Sequence, residues 1–152
     1  LWPFIEKHPK YAEQSLLEAL EAAGLKLPPE RECEGDFHFA SGSTCMAELR
    51  ARQPALSAVF CLNDQMAFGA LNFCRAAGIA VPTELSLIGF DDVEYADLIH
   101  PRLTTVRHPV AELARTAAQL ALRLAAGEVL TEPQRLLEPT LVVRDSVQVQ
   151  TA

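Results

Sequence analysis

Residues 57–92 read SAVFCLNDQMAFGALNFCRAAGIAVPTELSLIGFDD, and the order of apolar and chain-breaking residues in that stretch decides the fold. Ser57 to Leu62 is a short apolar run, the length of a strand buried on both faces rather than of a helix. Asn63 and Asp64 end it, and an Asn or Asp side-chain oxygen at that point can satisfy amides that a first helical turn leaves unpaired. Met66, Ala70, Phe73, Cys74 and Ala77 follow at helical spacing, which predicts one buried face, and Gly78 supplies a left-handed stop. Pro82 falls in the next turn. Leu85 to Phe90 is a second apolar strand running into Asp91 and Asp92. Two such strands joined by one helix form a βαβ unit with parallel strands. Ligands of open α/β domains bind outside the carboxyl ends of such strands, where Asn63, Asp64, Asp91 and Asp92 all lie.

Upstream, Leu1 to Ile5 reads as the exit from a strand, and His8-Pro9 as a helix start. Leu16, Leu17, Leu20 and Ala23 give an amphipathic helix closed by Gly24, and Pro28-Pro29 forbids its continuation. Arg31 to Glu34 is a short strand candidate. A helix over about 40–52 buries Cys45, Met46 and Leu49, with Gly42 weakening its first turn. Downstream, residues 95–101 read as loop and 103–106 as a brief strand. A helix over 110–126 carries the stripe Leu113, Ala117, Leu120, Ala121 and Leu124 and stops at Gly127. A closing strand spans 136–143, placed at a sheet edge by Pro139. The alternation of helices and strands is the α/β signature, and the class expected is a three-layer α/β/α parallel sheet.

With 152 residues and 49% hydrophobic content, one core is affordable and a second complete domain is not required. No apolar run reaches membrane-spanning length, so no membrane partner is expected. The net charge of −7 repels phosphates at long range, which argues against this stretch itself holding nucleic acid. Cys33, Cys45, Cys61 and Cys74 sit inside apolar or helical patterns without metal or redox spacing, as buried free thiols of a reducing cytoplasm would. An enzyme is not expected. Gly35 to Thr44 ends in Gly-Ser-Thr but lacks the phosphate-reaching Lys, no nucleophile elbow or dinucleotide turn occurs, and the four His residues lack metal-ligand spacing. No cofactor and no metal are expected.

The words CLNDQMAFGAL, GIAVPTELSLIGFDD and HPRLTTVRHP, in that order, resemble the C-terminal half of the LacI/GalR family of bacterial transcription regulators, over about residues 11–146. The resemblance implies a truncated periplasmic-binding-protein type I fold. Residues 1–152 would be part of an effector-binding domain, with its C-terminal lobe at about 11–106 and 136–146. Helix 110–126 would belong by family topology to an absent N-terminal lobe, whose loss leaves its apolar face open. The helix-turn-helix DNA-binding domain would also be absent. The implied partners are a small-molecule effector (a sugar, sugar phosphate or purine), operator DNA through that domain, and a second copy in a homodimer, in the cytoplasm. A solute-binding protein of an ABC importer shares the fold and is the alternative.

The same resemblance implies effector contacts from Phe37, Asn63, Asp91, His108 and Val110. Phe37 could stack on the C–H face of a pyranose or on a base, or else fill the core. Asn63 offers a donor pair and an acceptor to a hydroxyl, in which case Asp64 is the expected helix cap. Asp91 can accept from two adjacent hydroxyls in charge-assisted bonds; otherwise it is a solvated turn residue, as Asp92 is expected to be. His108 and Val110 lie where the family chain crosses between lobes, although a lone His is often an ordinary surface residue. One departure stands out. The Arg that the family's first helix in this half usually carries is replaced at its nearest position by Gln14, so any cationic grip must come from elsewhere.

Overall fold

The computed structural model describes residues 16–130 and 137–148. Their order is α1 (16–22), α2 (Phe39–Arg52), β1 (Ala58–Phe60), α3 (Asp64–Ala77), β2 (Ser86–Asp91), β3 (Thr104–Arg107), α4 (Val110–Ala125) and β4 (Thr140–Val142). Short 3-10 turns occupy Pro29–Arg31 and, within the stretch read as loop, Glu94–Asp97. The expectations for residues 1–5, for His8-Pro9, for Gln14 and for the start of the closing strand at Leu136 fall outside the described residues.

The sheet runs β1-β2-β3-β4. The first three strands are parallel, with Phe60 opposite Ile88 and Asp91 opposite Arg107, and β4 returns antiparallel on the edge beside β3. The βαβ unit forms as the spacing predicts, and Gly78 ends α3 in the left-handed conformation at φ 72°. Its buried face comprises Met66, Ala67, Gly69, Ala70 and Cys74, while Phe73 is half-buried and Ala77 is exposed, so the stripe stops one turn earlier than expected. These residues pack with Cys45 and Met46 of α2 and with Leu85, Leu87 and Leu103 of the sheet.

Gly42 has a reason that helix propensity does not reveal. A Cβ there would lie 2.1 Å from the Met66 carbonyl oxygen, and one at Gly69 would lie 2.0 Å from that of Phe39. The two glycines let α2 and α3 cross backbone against backbone.

The strand expected at Arg31 to Glu34 does not form. Its first residue closes a 3-10 turn, and the extended residues after it bond to side chains instead of a neighbouring strand. Arg52 Nη1 donates to the Glu32 carbonyl at 2.9 Å, and the Cys45 thiol to that of Glu34 at 3.5 Å. A cavity of about 930 Å³ separates this segment from β1, lined by Leu16, Leu20, Met46, Leu49, Val59 and Cys61 among others.

All four cysteines are free. Burial pushes the Cys61 thiol up to about 12, and Cys33, whose neighbour Cys45 adds to the effect, also to about 12. Thiols that resist ionisation are poor nucleophiles. No described helix is long and apolar enough to cross a membrane.

Candidate functional site at the carboxyl edge of the sheet

The loops that leave the carboxyl ends of the parallel strands carry most of the residues singled out in the sequence. Phe37 sits in a turn built by its neighbours: the His38 amide donates to Asp36 Oδ1 at 3.0 Å, and Ser41 Oγ accepts from the Asp36 amide and donates to the His38 carbonyl. The turn holds Phe37 at φ 66°, and its ring is 41% exposed, so it does not fill the core.

Asn63, not Asp64, is the cap of α3. Its Oδ1 accepts from the Met66 amide at 2.9 Å, and its Nδ2 donates to the Phe37 carbonyl at 2.8 Å. One side chain therefore closes the helix and ties the Phe37 loop to it across 26 residues of sequence. Asp64 has gone inward and is fully buried. Its Oδ2 accepts from the Val93 amide at 2.9 Å, and its Oδ1 from the Thr105 hydroxyl at 2.6 Å. Burial raises the Asp64 carboxyl above its ordinary value of 3.8, and these two bonds oppose the rise.

Asp91 ends β2 at φ 119°, and Asp92 follows it at φ 58°. With Phe37 they are the non-glycine residues of positive φ among those described, and such strain gathers where a function over-determines the backbone. Lost solvation raises the Asp91 carboxyl; the charge of Asp64 adds to the rise, and His108 pulls the other way. His108 follows β3 and packs edge-on against Phe90, with ring centroids 4.6 Å apart. Val110, the first residue of α4, is 67% exposed.

Asp92 is not the solvated turn residue that the sequence suggested. Its side chain is 6% exposed and lies between Arg144, whose Nη2 donates to Oδ1 at 2.7 Å, and the Nε of Arg107. Burial alone would raise it, but the two guanidinium groups hold it below the usual carboxylate range. Arg144 also donates to the Leu103 carbonyl at 2.8 Å. No sequence pattern pointed to this pair, because its members lie 52 residues apart.

This edge carries the aromatic ring of Phe37, the carboxylate of Asp91 and the imidazole of His108, while the Asn63 amide is engaged by the Met66 amide and the Phe37 carbonyl. Among the described residues no group of three His, Cys, Asp or Glu side chains is arranged to hold a metal.

Ligand-binding α/β domains of the cleft type carry polar residues at the carboxyl edge of their parallel strands in the same way. The model of the periplasmic binding protein-like domain matches residues 5–147, and the chain belongs to that family, in its LacI/GalR branch of transcription regulators. It is 42% identical over 134 residues to the HTH-type transcriptional regulator GalR of Escherichia coli K12, covering 88% of this chain and 39% of GalR. To the repressor CytR of the same organism it is 36% identical, over 91% of this chain and 40% of CytR. The chain thus spans about two fifths of the length of these relatives. Among solved structures it resembles the transcriptional regulator CelR in complex with cellobiose, with a TM-score of 0.79 and 40% identity over 85% of this chain and 39% of that one. The Escherichia coli repressor ascG aligns with a TM-score of 0.78 at 32% identity, over 86% of this chain and 47% of that one.

Proposed function

We propose that this chain is the C-terminal lobe of the effector-sensing domain of a LacI/GalR-type regulator, and that Phe37, Asn63, Asp91, His108 and Val110 face a small saccharide. The observation that carries the reading is the presence, at one edge of the sheet, of an exposed Phe37 and of Asp91 on a backbone of positive φ. A ring suits the C–H face of a sugar, and a carboxylate suits its adjacent hydroxyls. The relatives are DNA-binding regulators, which favours this reading over an importer's solute-binding protein, and CelR was solved with cellobiose. Of the effectors considered, a sugar phosphate fits less well than a neutral sugar. Arg107 and Arg144 are both engaged by Asp92, which leaves Asp91 and Asp64 to set a negative local field.

The effector would act through linkage. It shifts operator binding by the parent dimer only as far as it binds two arrangements of the lobes unequally. The lobe boundaries at about 11–106 and 136–146 and the assignment of helix 110–126 to the other lobe belong to the same proposal. In support, α4 buries none of its residues, with Leu113 52% and Leu124 57% exposed. The isolated 152-residue chain is therefore expected to bind a hydrophobic dye and to self-associate in sedimentation. A monodisperse monomer that binds no dye would count against the assignment.

The effector itself is tested by thermal shift of the full-length protein against cellobiose, galactose, sugar phosphates and purine nucleosides. A ligand at a hundredfold excess over its dissociation constant adds about 2.7 kcal/mol to the folded state. Asp91→Ala is expected to weaken the sugar that scores by about 10- to 100-fold, the worth of hydrogen bonds to a charged group. Binding should also weaken as the pH falls through the raised Asp91 value, sooner than for an ordinary carboxylate. A sugar whose affinity survives Asp91→Ala would overturn the assignment of this site.

A further inference from the structure

We infer that Asp64, which is closed off from the crevice, is the residue that positions Asp91 for the effector. It does so by binding β3 through Thr105 and the turn after β2 through Val93, and so fixing the two left-handed residues between them. The inference rests on the effector reading of the site.

Four observations lead to it. Asp64 is fully buried, and both its oxygens are engaged, at 2.6 Å by the Thr105 hydroxyl and at 2.9 Å by the Val93 amide. Val93 is the first residue after the Asp91–Asp92 pair, so its amide is the outer anchor of the strained turn. The Thr105 hydroxyl in turn accepts a long bond, 3.4 Å, from the Asp92 amide. The sheet also makes room for this carboxylate at Gly89: a Cβ there would lie 2.2 Å from Asp64 Oδ1 and 2.8 Å from Leu103 Cδ2. A glycine inside a strand marks a close approach, and here what approaches is the carboxylate.

Two consecutive non-glycine residues at positive φ do not hold themselves there. With Val93 anchored on one side and β2 paired to β3 up to Asp91 on the other, the chain between is clamped at both ends. Both partners donate to Asp64 here; the Val93 amide can do nothing else, while the Thr105 hydroxyl could accept only by giving up its own donation. Asparagine at this position keeps the shape but presents an N–H₂ to one of them. The charge of Asp64 also adds to the rise of the Asp91 carboxyl, of which lost solvation is the larger cause.

The experiment uses the full-length protein with galactose and cellobiose as probes. Asp64→Asn is expected to weaken the bound sugar about tenfold, the loss of one charge-assisted hydrogen bond, with its thermal midpoint still that of a folded protein. Amide exchange should rise over residues 91–93 and not across the rest of the sheet. Thr105→Val removes one anchor, leaves the carboxylate in place, and should do the same to a smaller degree, which keeps the test open if Asp64→Asn fails to fold. Sugar affinity within about twofold of the parent in a folded variant, or exchange that rises evenly over the sheet, would make Asp64 a residue of the fold only. Asp91→Ala in the same assay separates the two readings. If it leaves sugar binding intact, the site is wrong, while local exchange at 91–93 still decides what Asp64 holds.

Discussion

Replacing Arg144 with methionine should destabilise the protein by about 3 kcal/mol, the lower end of what it costs to strip one partner from a buried ion pair. Arg144 is 11% exposed and Asp92 6%, so the carboxylate left behind cannot recover its solvation from water. Arg107 still reaches Asp92, which is why the lower figure applies. The pH dependence carries a sign that can be checked. Asp92 has a lowered value in the fold, so its contribution is complete above the ordinary 3.8 and is lost as the pH falls through the lower, folded value. Urea unfolding of the parent from about pH 7 to about pH 3 should therefore show stability declining at the acid end, and the variant should show less of that decline. An unchanged urea midpoint for Arg144→Met at neutral pH would mean that the pair contributes nothing.

Gly42→Ala is expected to be nearly as damaging, although it improves the helix. Alanine in a helix is worth about 1 kcal/mol over glycine. The added methyl would meet Met66 backbone atoms at 2.1, 2.5 and 2.6 Å, and backbone cannot rotate out of the way as a side chain can. Overpacking of this kind costs typically about 1–3 kcal/mol and more where nothing yields, so the clash outweighs the propensity. Thermal unfolding would register it as a lowered midpoint. A midpoint raised by the substitution would show that the α2–α3 crossing can open without loss.

These two residues also mark the limit of what the sequence discloses. Local pattern sufficed for the βαβ unit: its strands are too short for helices, its helix has one apolar face, and Gly78 fixes the stop. It sufficed too for α4, where a stripe of Leu and Ala ends at Gly127. What pattern could not supply were facts about pairs distant in the chain. Arg144 and Asp92, Thr105 and Asp64, and Asn63 and Phe37 meet only after folding. The Asn-Asp dipeptide illustrates the difficulty. Either residue is a competent cap; Asn63 takes the role, and the Asp64 carboxylate turns inward to the space left at Gly89, 25 positions beyond Asp64. Asp91 was legible as a candidate by its place at a strand end, while its left-handed backbone was not, since nothing in its side chain calls for it. The segment 31–34 was misread as a strand for a related reason. Strand formation needs a neighbour, and composition does not say whether one is there.

Ser146 has a consequence for the timing of synthesis. It is fully buried, accepts from the Thr104 amide at 2.8 Å, donates to the Leu87 carbonyl at 2.6 Å, and takes the Leu87 amide on its own carbonyl. It thus stitches β2 to β3 at their amino ends, yet it is translated some 40 residues after β3. At roughly 5–20 residues per second, a ribosome exposes both strands for seconds before the residue that joins them emerges. During that interval Asp92 has Arg107 for a partner but still lacks Arg144. The bonds that Ser146 adds between β2 and β3 therefore form seconds after the two strands have been made.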